Sequence, residues 1–352
     1  MKYKDFPYKI RNMENLRKPH ILLDIGDDAR RQYIDAESTF TAYESAVLNA
    51  ASVRGGMYWK SQGEREYLIR TSSTNAQKSL GPRSDKTEGI YAKFTARKVE
   101  MEAQLSRLQL ALEKHQRLNR ALRVGRAPAI AVNVLAALER AGLAEHFTVV
   151  GTHALYAYEA MAGVRVESAA LATQDVDLLW DTRKRVQFVS QMNILGSTMI
   201  GLLKKVDSTF TIRDNQRFTA VNADGFEVDI IRREASEGDP HPLRLTDDAE
   251  DFWAVQARRA GTLLSAPRFS AVIVTASGHM ARMNTIAPAA FCEFKRWMAD
   301  QTDRDPLKRQ RDALQVEIVE QLMEEYLPQW LPAPPDDPEA LGDEPSAPRQ
   351  GR

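Results

Sequence analysis

The sequence predicts an α+β protein: a mixed sheet with helices packed on it, preceded by a helical hairpin that carries a β-hairpin and followed by C-terminal helices. Three observations carry this. Between residues 127 and 260, short β-branched and aromatic runs ended by Gly alternate with helical stretches. Residues 88–123 hold apolar positions at alternating steps of four and three, and two helical segments follow Pro288. The expected division is an N-terminal helical region over 1–126, a sheet core over 127–260, strands and helices packing on it over 261–330, and a Pro-rich tail over 331–352.

Taken in order, Asp27 or Asp28 caps a helix that runs to about Arg54, where Gly55-Gly56 stops it. Met57–Lys60 and Glu66–Thr71 form a hairpin around Gln62-Gly63-Glu64. Gln77–Thr87 reads as a loop whose Lys78, Arg83 and Lys86 are either phosphate ligands or an ordinary exposed turn. In the long helix from about Glu88 to Arg123, the residues Phe94, Lys98, Met101, Leu105, Leu108, Leu112, His115, Asn119 and Leu122 make a heptad seam. It is expected to pack on the 29–54 helix, with a homodimeric coiled coil as the alternative to a monomer. His115 is expected to be a polar seam position, because no other His or Cys lies at helical spacing from it. Gly125-Arg126-Ala127-Pro128 breaks the helix and opens another over Ile130–Ala141.

Phe147–Val150 is a short strand, Gly151 a tight turn, and His153–Met161 helix-like. Strand character returns at 210–213, 217–221 and 226–231, and at Leu263–Leu264 and Ala271–Thr275. Helices are expected at about 289–300 and 306–326, with Lys308 and Asp312 meeting as a surface pair four residues apart. From Leu331 the proline-rich chain cannot bury enough to fold.

The chemistry centres on Asp175-Val176-Asp177-Leu178-Leu179-Trp180. Side chains alternate along a strand, so Asp175 and Asp177 share one face while Val176 and Leu178 pack on the other. Two carboxylates so close repel and raise one pKa unless Mg²⁺ or Mn²⁺ compensates. An Asp-x-Asp alone is more often solvated surface; here its surroundings give it weight. Gly151-Thr152 opens a helix, whose free N–H groups suit phosphate. Glu227-Val228-Asp229 puts a third carboxylate on a neighbouring strand, as a two-metal phosphoryl-transfer site needs. His153 beside the turn is either a base or a packing residue at the helix start.

This order of elements resembles the polymerase β-type nucleotidyltransferase superfamily: an apolar strand, a Gly turn opening a helix, Asp-x-Asp on a second strand and a lone Asp on a third. More narrowly, Gly151–Tyr156 with Thr173–Trp180 is similar to a bacterial family of nucleotidyltransferase-fold proteins, over roughly residues 125–325. Thr152 departs from the usual Ser or Gly, and the gap from Gly151 to Asp175 is longer than in many members. The resemblance implies a polymerase β-like core, Mg²⁺ or Mn²⁺ held by Asp175, Asp177 and Asp229, and an NTP such as ATP as substrate, cradled by Gly151 and Thr152. A basic residue on the helix after the sheet faces the phosphates in such proteins; Lys295 is the matching position here, with Lys308 as alternative. It further implies transfer of an NMP to a hydroxyl of RNA, tRNA, a protein or a small molecule, as toxin-like relatives do. The rival reading is a catalytically silent module that contacts nucleic acid or a protein.

Charge is balanced overall at 48 basic and 48 acidic residues, but residues 1–126 hold 24 Lys and Arg against 15 Asp and Glu. This region therefore suits an acidic partner, or is a solvated basic face. The single cysteine, Cys292, forms no intrachain disulfide and is expected to pack as a small apolar residue in a reducing cytoplasm. Met1–Pro7 lacks the apolar stretch of a signal peptide, and no run approaches the roughly twenty apolar residues of a membrane span. Walker, dinucleotide-binding, nucleophile-elbow and zincin motifs are all absent from the sequence.

Overall fold

The computed structural model describes residues 20–72, 75–239 and 241–331. Its fold is α+β. A short strand β1 (Leu23–Asp24) leads into α1 (Asp27–Ser52), with Gly26 at the N-cap and Asp27 and Asp28 in the first turn, where their charge meets the positive end of the helix. Next, β2 (Gly56–Gln62) and β3 (Arg65–Thr71) form the expected hairpin, and β4 (Gln77–Pro82) pairs with the other edge of β3. The stretch expected to be a loop is thus an edge strand up to Pro82; an edge tolerates Gly81 and Pro82 because half of its backbone groups need no sheet partner. Arg83 is held between Glu66 at 2.6 Å and Glu88 at 2.8 Å, so it is not a spare phosphate ligand.

The long helix α2 (Asp85–Ala121) starts on a capping box: Ser84 Oγ accepts from the Thr87 N–H at 3.4 Å, and Thr87 Oγ1 accepts from the Ser84 N–H at 2.9 Å. It runs antiparallel to α1 and turns its seam toward that helix. The polar seam members are paired rather than wasted. Gln32 Nε2 donates to Asn119 Oδ1 at 2.9 Å and to His115 Nδ1 at 3.0 Å, and Thr39 Oγ1 meets His115 Nε2 at 3.2 Å. Leu122, past the end of the helix, is 39 % exposed. The hairpin is fastened to the core by Tyr33 Oη donating to the Val272 carbonyl at 3.0 Å, and by the Arg282 guanidinium on Glu44 at 2.6 Å.

The core follows as α3 (Ala129–Arg140), β5 (Phe147–Val150), α4 (Ala154–Ala162), β6 (Val164–Arg165), β7 (Asp175–Trp180), α5 (Arg185–Leu195), α6 (Met199–Val206), β8 (Thr211–Arg213), β9 (Gln216–Val221) and β10 (Glu227–Arg232). Then come β11 (Leu243–Arg244), β12 (Trp253–Gln256), α7 (Ala260–Ser265), β13 (Arg268–Val274), β14 (Met280–Ile286), α8 (Pro288–Asp300) and α9 (Pro306–Glu325). The main sheet has the order β11-β12-β10-β7-β5-β14-β13. In it β7 lies antiparallel to β5 and parallel to β10, and β10 gives its other edge first to β9 and then to β12. Val149, Val176, Leu178, Val228 and Ile230 are at most 1 % exposed, each contributing about 1.5–3 kcal/mol of burial that locks the register of these strands.

Several segments differ from the sequence reading. Leu263 and Leu264 lie in the helix α7, since an isolated apolar pair has no period to separate strand from helix. The expected surface pair of Lys308 and Asp312 does not form: Asp312 is fully buried and bound to other cations, described below. The expectations for Met1–Pro7 and for the tail beyond Leu331 lie outside the described residues.

Candidate active site

The β7 register decides the geometry. Asp177 is level with Asp229 on β10 and with Val150 on β5, one residue before the turn, so the strand ends bring the Gly turn and both acidic strands to one place. Asp175, Asp177 and Asp229 each offer an oxygen such that all three lie within 4.8 Å of one another. Threonines steady two of them: Thr173 Oγ1 donates to Asp175 Oδ1, and Thr219 Oγ1 donates to Asp229 Oδ1 at 2.5 Å. Glu227, level with Asp175, is drawn aside by Arg213 instead.

Electrostatically the cluster is unsatisfied. Burial, reinforced by Asp175 and Asp229, pushes the Asp177 carboxyl up to about 7, and burial also raises Asp229. Such a trio fits a divalent cation better than it fits protons. Gly151 makes room for it: the residue sits at φ +73°, and a Cβ there would stand 2.5 Å from Asp177 Oδ2. Thr152 is buried, and its Oγ1 accepts from Gln315 Nε2 at 3.1 Å, which leaves the hydroxyl proton free to donate.

These residues floor a cleft of about 500 Å³ whose opposite wall is α8, the link after it and the start of α9. That wall presents Lys295, Arg304, Lys308 and Arg311, with Phe294, Trp297 and Met298 as its apolar part. A family model described as nucleotidyltransferase matches residues 130–333, over half of the chain and all of this site. The chain belongs to the nucleotidyltransferase family. Neither curated proteins nor solved structures give a match.

Within this family member the structure gathers Gly151, Thr152, Asp175, Asp177, Asp229 and Lys295 around one cleft. Lys295 is 4 % exposed, its Nζ 2.7 Å from Asp312 Oδ1 and 5.6 Å from the Phe291 ring centroid. Burial lowers its pKa, while Asp312 and then Asp177 oppose that. The alternative, Lys308, is exposed on the cleft rim. His153 is buried edge-on to Phe226 at 6.0 Å, and burial pushes its pKa down to about 4, so it is neutral at pH 7 and packs at the helix start. Among the described residues no single helix is long and apolar enough to cross a membrane.

Sequence reasoning misses Arg304, Asp312 and Gln315. The only available signal was on α9, where Asp312 and Gln315 stand three apart, beside the apolar positions Val316, Val319 and Leu322 that the same helix buries. Polar residues on a buried face are either paired or costly.

Proposed function

We propose that the protein transfers a nucleoside monophosphate from an NTP to a hydroxyl acceptor and releases pyrophosphate. The observation that supports this best is the three-carboxylate cluster facing a lysine and an arginine across one cleft. Asp175, Asp177 and Asp229 would hold Mg²⁺ or Mn²⁺, which when bound supplies the positive charge that this chemistry needs at the phosphates. The backbone of Gly151 and Thr152, at the start of the helical turn, faces the β and γ phosphates with N–H groups, and the Thr152 hydroxyl adds a donor. Lys295 and Arg304 balance phosphate charge from the opposite wall. Asp229, level with Asp177 on the neighbouring strand, would accept the acceptor's proton as that hydroxyl's oxygen attacks the α-phosphorus and the bond to the bridging oxygen breaks.

For the acceptor, the N-terminal region over residues 1–126 is the docking element we assign, on its balance of 24 Lys and Arg against 15 Asp and Glu. RNA, tRNA included, is the class this fits. The test is transfer of label from each α-³²P NTP, with Mg²⁺ or Mn²⁺, to total RNA and total protein, beside the Asp175→Ala/Asp177→Ala double variant. Label on RNA from the wild type alone is expected. Label on protein reassigns the acceptor, and none under any condition, with no Mn²⁺-dependent rise in melting temperature, leaves a silent binding module.

Metal affinity carries its own pH signature. Protons and cations compete for Asp177, whose carboxyl titrates near 7 in the metal-free protein. Apparent Mn²⁺ affinity, followed by titration calorimetry, should therefore rise between pH 5 and pH 8; a flat profile would place the cation elsewhere.

A further inference from the structure

We propose that Asp312 and Gln315, one turn apart on the buried face of α9, are positioning residues that set the cations and the hydroxyl of the cleft to the spacing of a polyphosphate. This inference rests on the nucleotidyl-transfer reading above.

Asp312 is fully buried and spends both of its oxygens on the site. Oδ1 accepts from Lys295 Nζ at 2.7 Å and Oδ2 accepts from Arg304 Nε at 2.7 Å. A carboxylate bridging two cations fixes the distance between them, and its charge opposes the lowering that burial imposes on the Lys295 ammonium. Three residues on, Gln315 is fully buried as well. Its Nε2 donates to Thr152 Oγ1 at 3.1 Å and to the Ala170 carbonyl at 2.7 Å. The amide thus occupies one lone pair of the threonine and aligns the hydroxyl, while tying the turn to the 3₁₀ segment Ser168–Leu171. One helix therefore holds both walls of the cleft: the Gly151-Thr152 turn through Gln315, and the Lys295–Arg304 pair through Asp312.

This arrangement is hard to explain by stability alone. A buried carboxylate with two cations recovers its desolvation cost at best partly, and an apolar replacement of the whole set is often neutral or better. Three of the four contacts, those to Lys295, Arg304 and Thr152, instead end on groups that line the cleft.

A base-independent probe separates positioning from folding. Inorganic tripolyphosphate with Mg²⁺ is titrated calorimetrically into wild type, Asp312→Asn and Gln315→Met, and the four free nucleosides are titrated beside it. Asp312→Asn should weaken tripolyphosphate about 10- to 100-fold, the range typical of supporting residues behind a ligand. Gln315→Met should weaken it less, and nucleoside binding should stay within about twofold of wild type for both, a split that a general loosening of the fold would not give. Wild-type affinity for tripolyphosphate in both variants overturns the proposal. If Asp312→Asn does not fold, Gln315→Met decides, and unchanged affinity there overturns it. Wild type that melts normally and binds no tripolyphosphate removes the nucleotidyl-transfer reading itself, and this inference with it.

Discussion

Asp177→Asn is expected to abolish nucleotide transfer and, in the same preparation, to raise the melting temperature of the metal-free protein. Loss of activity follows from removing the middle carboxylate of a trio whose oxygens lie within 4.8 Å. A deficit of at least about 10³-fold is expected, the upper range for deleting one preorganised electrostatic group. The gain in stability follows from the same crowding. In the metal-free protein the Asp177 carboxyl is pushed up to about 7, mainly by burial and then by Asp175 and Asp229. A carboxyl raised above its unfolded value means that the native state binds more protons over the interval between the two values. Stability contributed by this group is therefore present at low pH and is lost as pH rises through that interval toward 7. Asparagine resembles the protonated acid at every pH. Variant and wild type should therefore melt alike near pH 4, and the variant should be ahead by on the order of 1–2 kcal/mol at pH 8, a few degrees for a chain of this size. His153, buried and lowered to about 4, imposes a slope of opposite sign on both proteins and cancels in the difference. Calorimetry in EDTA at several pH values, paired with the labelling assay, checks both halves. A variant that keeps transfer, or that melts below wild type at pH 8, would sink the assignment of Asp177.

How much of this was legible depends on the range over which each residue's reason acts. Asp175, Asp177 and Asp229 were readable because strand alternation is local: Val176 and Val228 bury, so their neighbours must face the other way. Gly151 was readable for the same reason, as a turn residue between a strand and a helix. The α1–α2 pairing could be read from the seam, down to the polar positions His115 and Asn119. By contrast, Thr198 caps α6 locally through the Gly201 N–H, but the Met199 and Ile200 N–H groups donate at 3.0 Å to Asp251, some fifty residues away. No window around residue 199 contains that information. Likewise β14 turns Ala281, Met283 and Thr285 inward, a set without the branched apolar side chains that announce a strand; it is a strand because β13 and β5 flank it. Helical spacing alone pairs Asp312 with Lys308 on the surface, whereas Lys295 and Arg304 lie nearer to it only after α8 folds back on α9. The cations of the cleft were thus half visible: Lys295 by its place after the sheet, Arg304 not at all.

Gly151→Ala is the most economical probe of whether the turn and the carboxylates work as one unit, and it should cost activity far more than stability. Two penalties meet at this position. The backbone sits at φ +73°, where a non-glycine residue costs about 1–2 kcal/mol. The new Cβ would also stand 2.5 Å from Asp177 Oδ2. Of the two, the clash is the easier to relieve, because the obstructing atom is the end of a side chain that can rotate. That rotation, however, takes the oxygen out of the three-carboxylate cluster, so relief is obtained at the expense of the site. Transfer is expected to fall by about 10²-fold, comparable to a misplacement of about 1 Å in a positioned group. Gly196→Ala supplies the control, since Gly196 has φ +57° and nothing within 4 Å of the added Cβ. It carries the backbone penalty without the steric one. If kcat/KM falls in Gly151→Ala and holds in Gly196→Ala while both lose similar melting temperature, the loss arises at Asp177 and not from general strain. Equal activity in the two variants would mean that the carboxylate tolerates displacement, and that the approach of the turn to Asp177 serves packing alone.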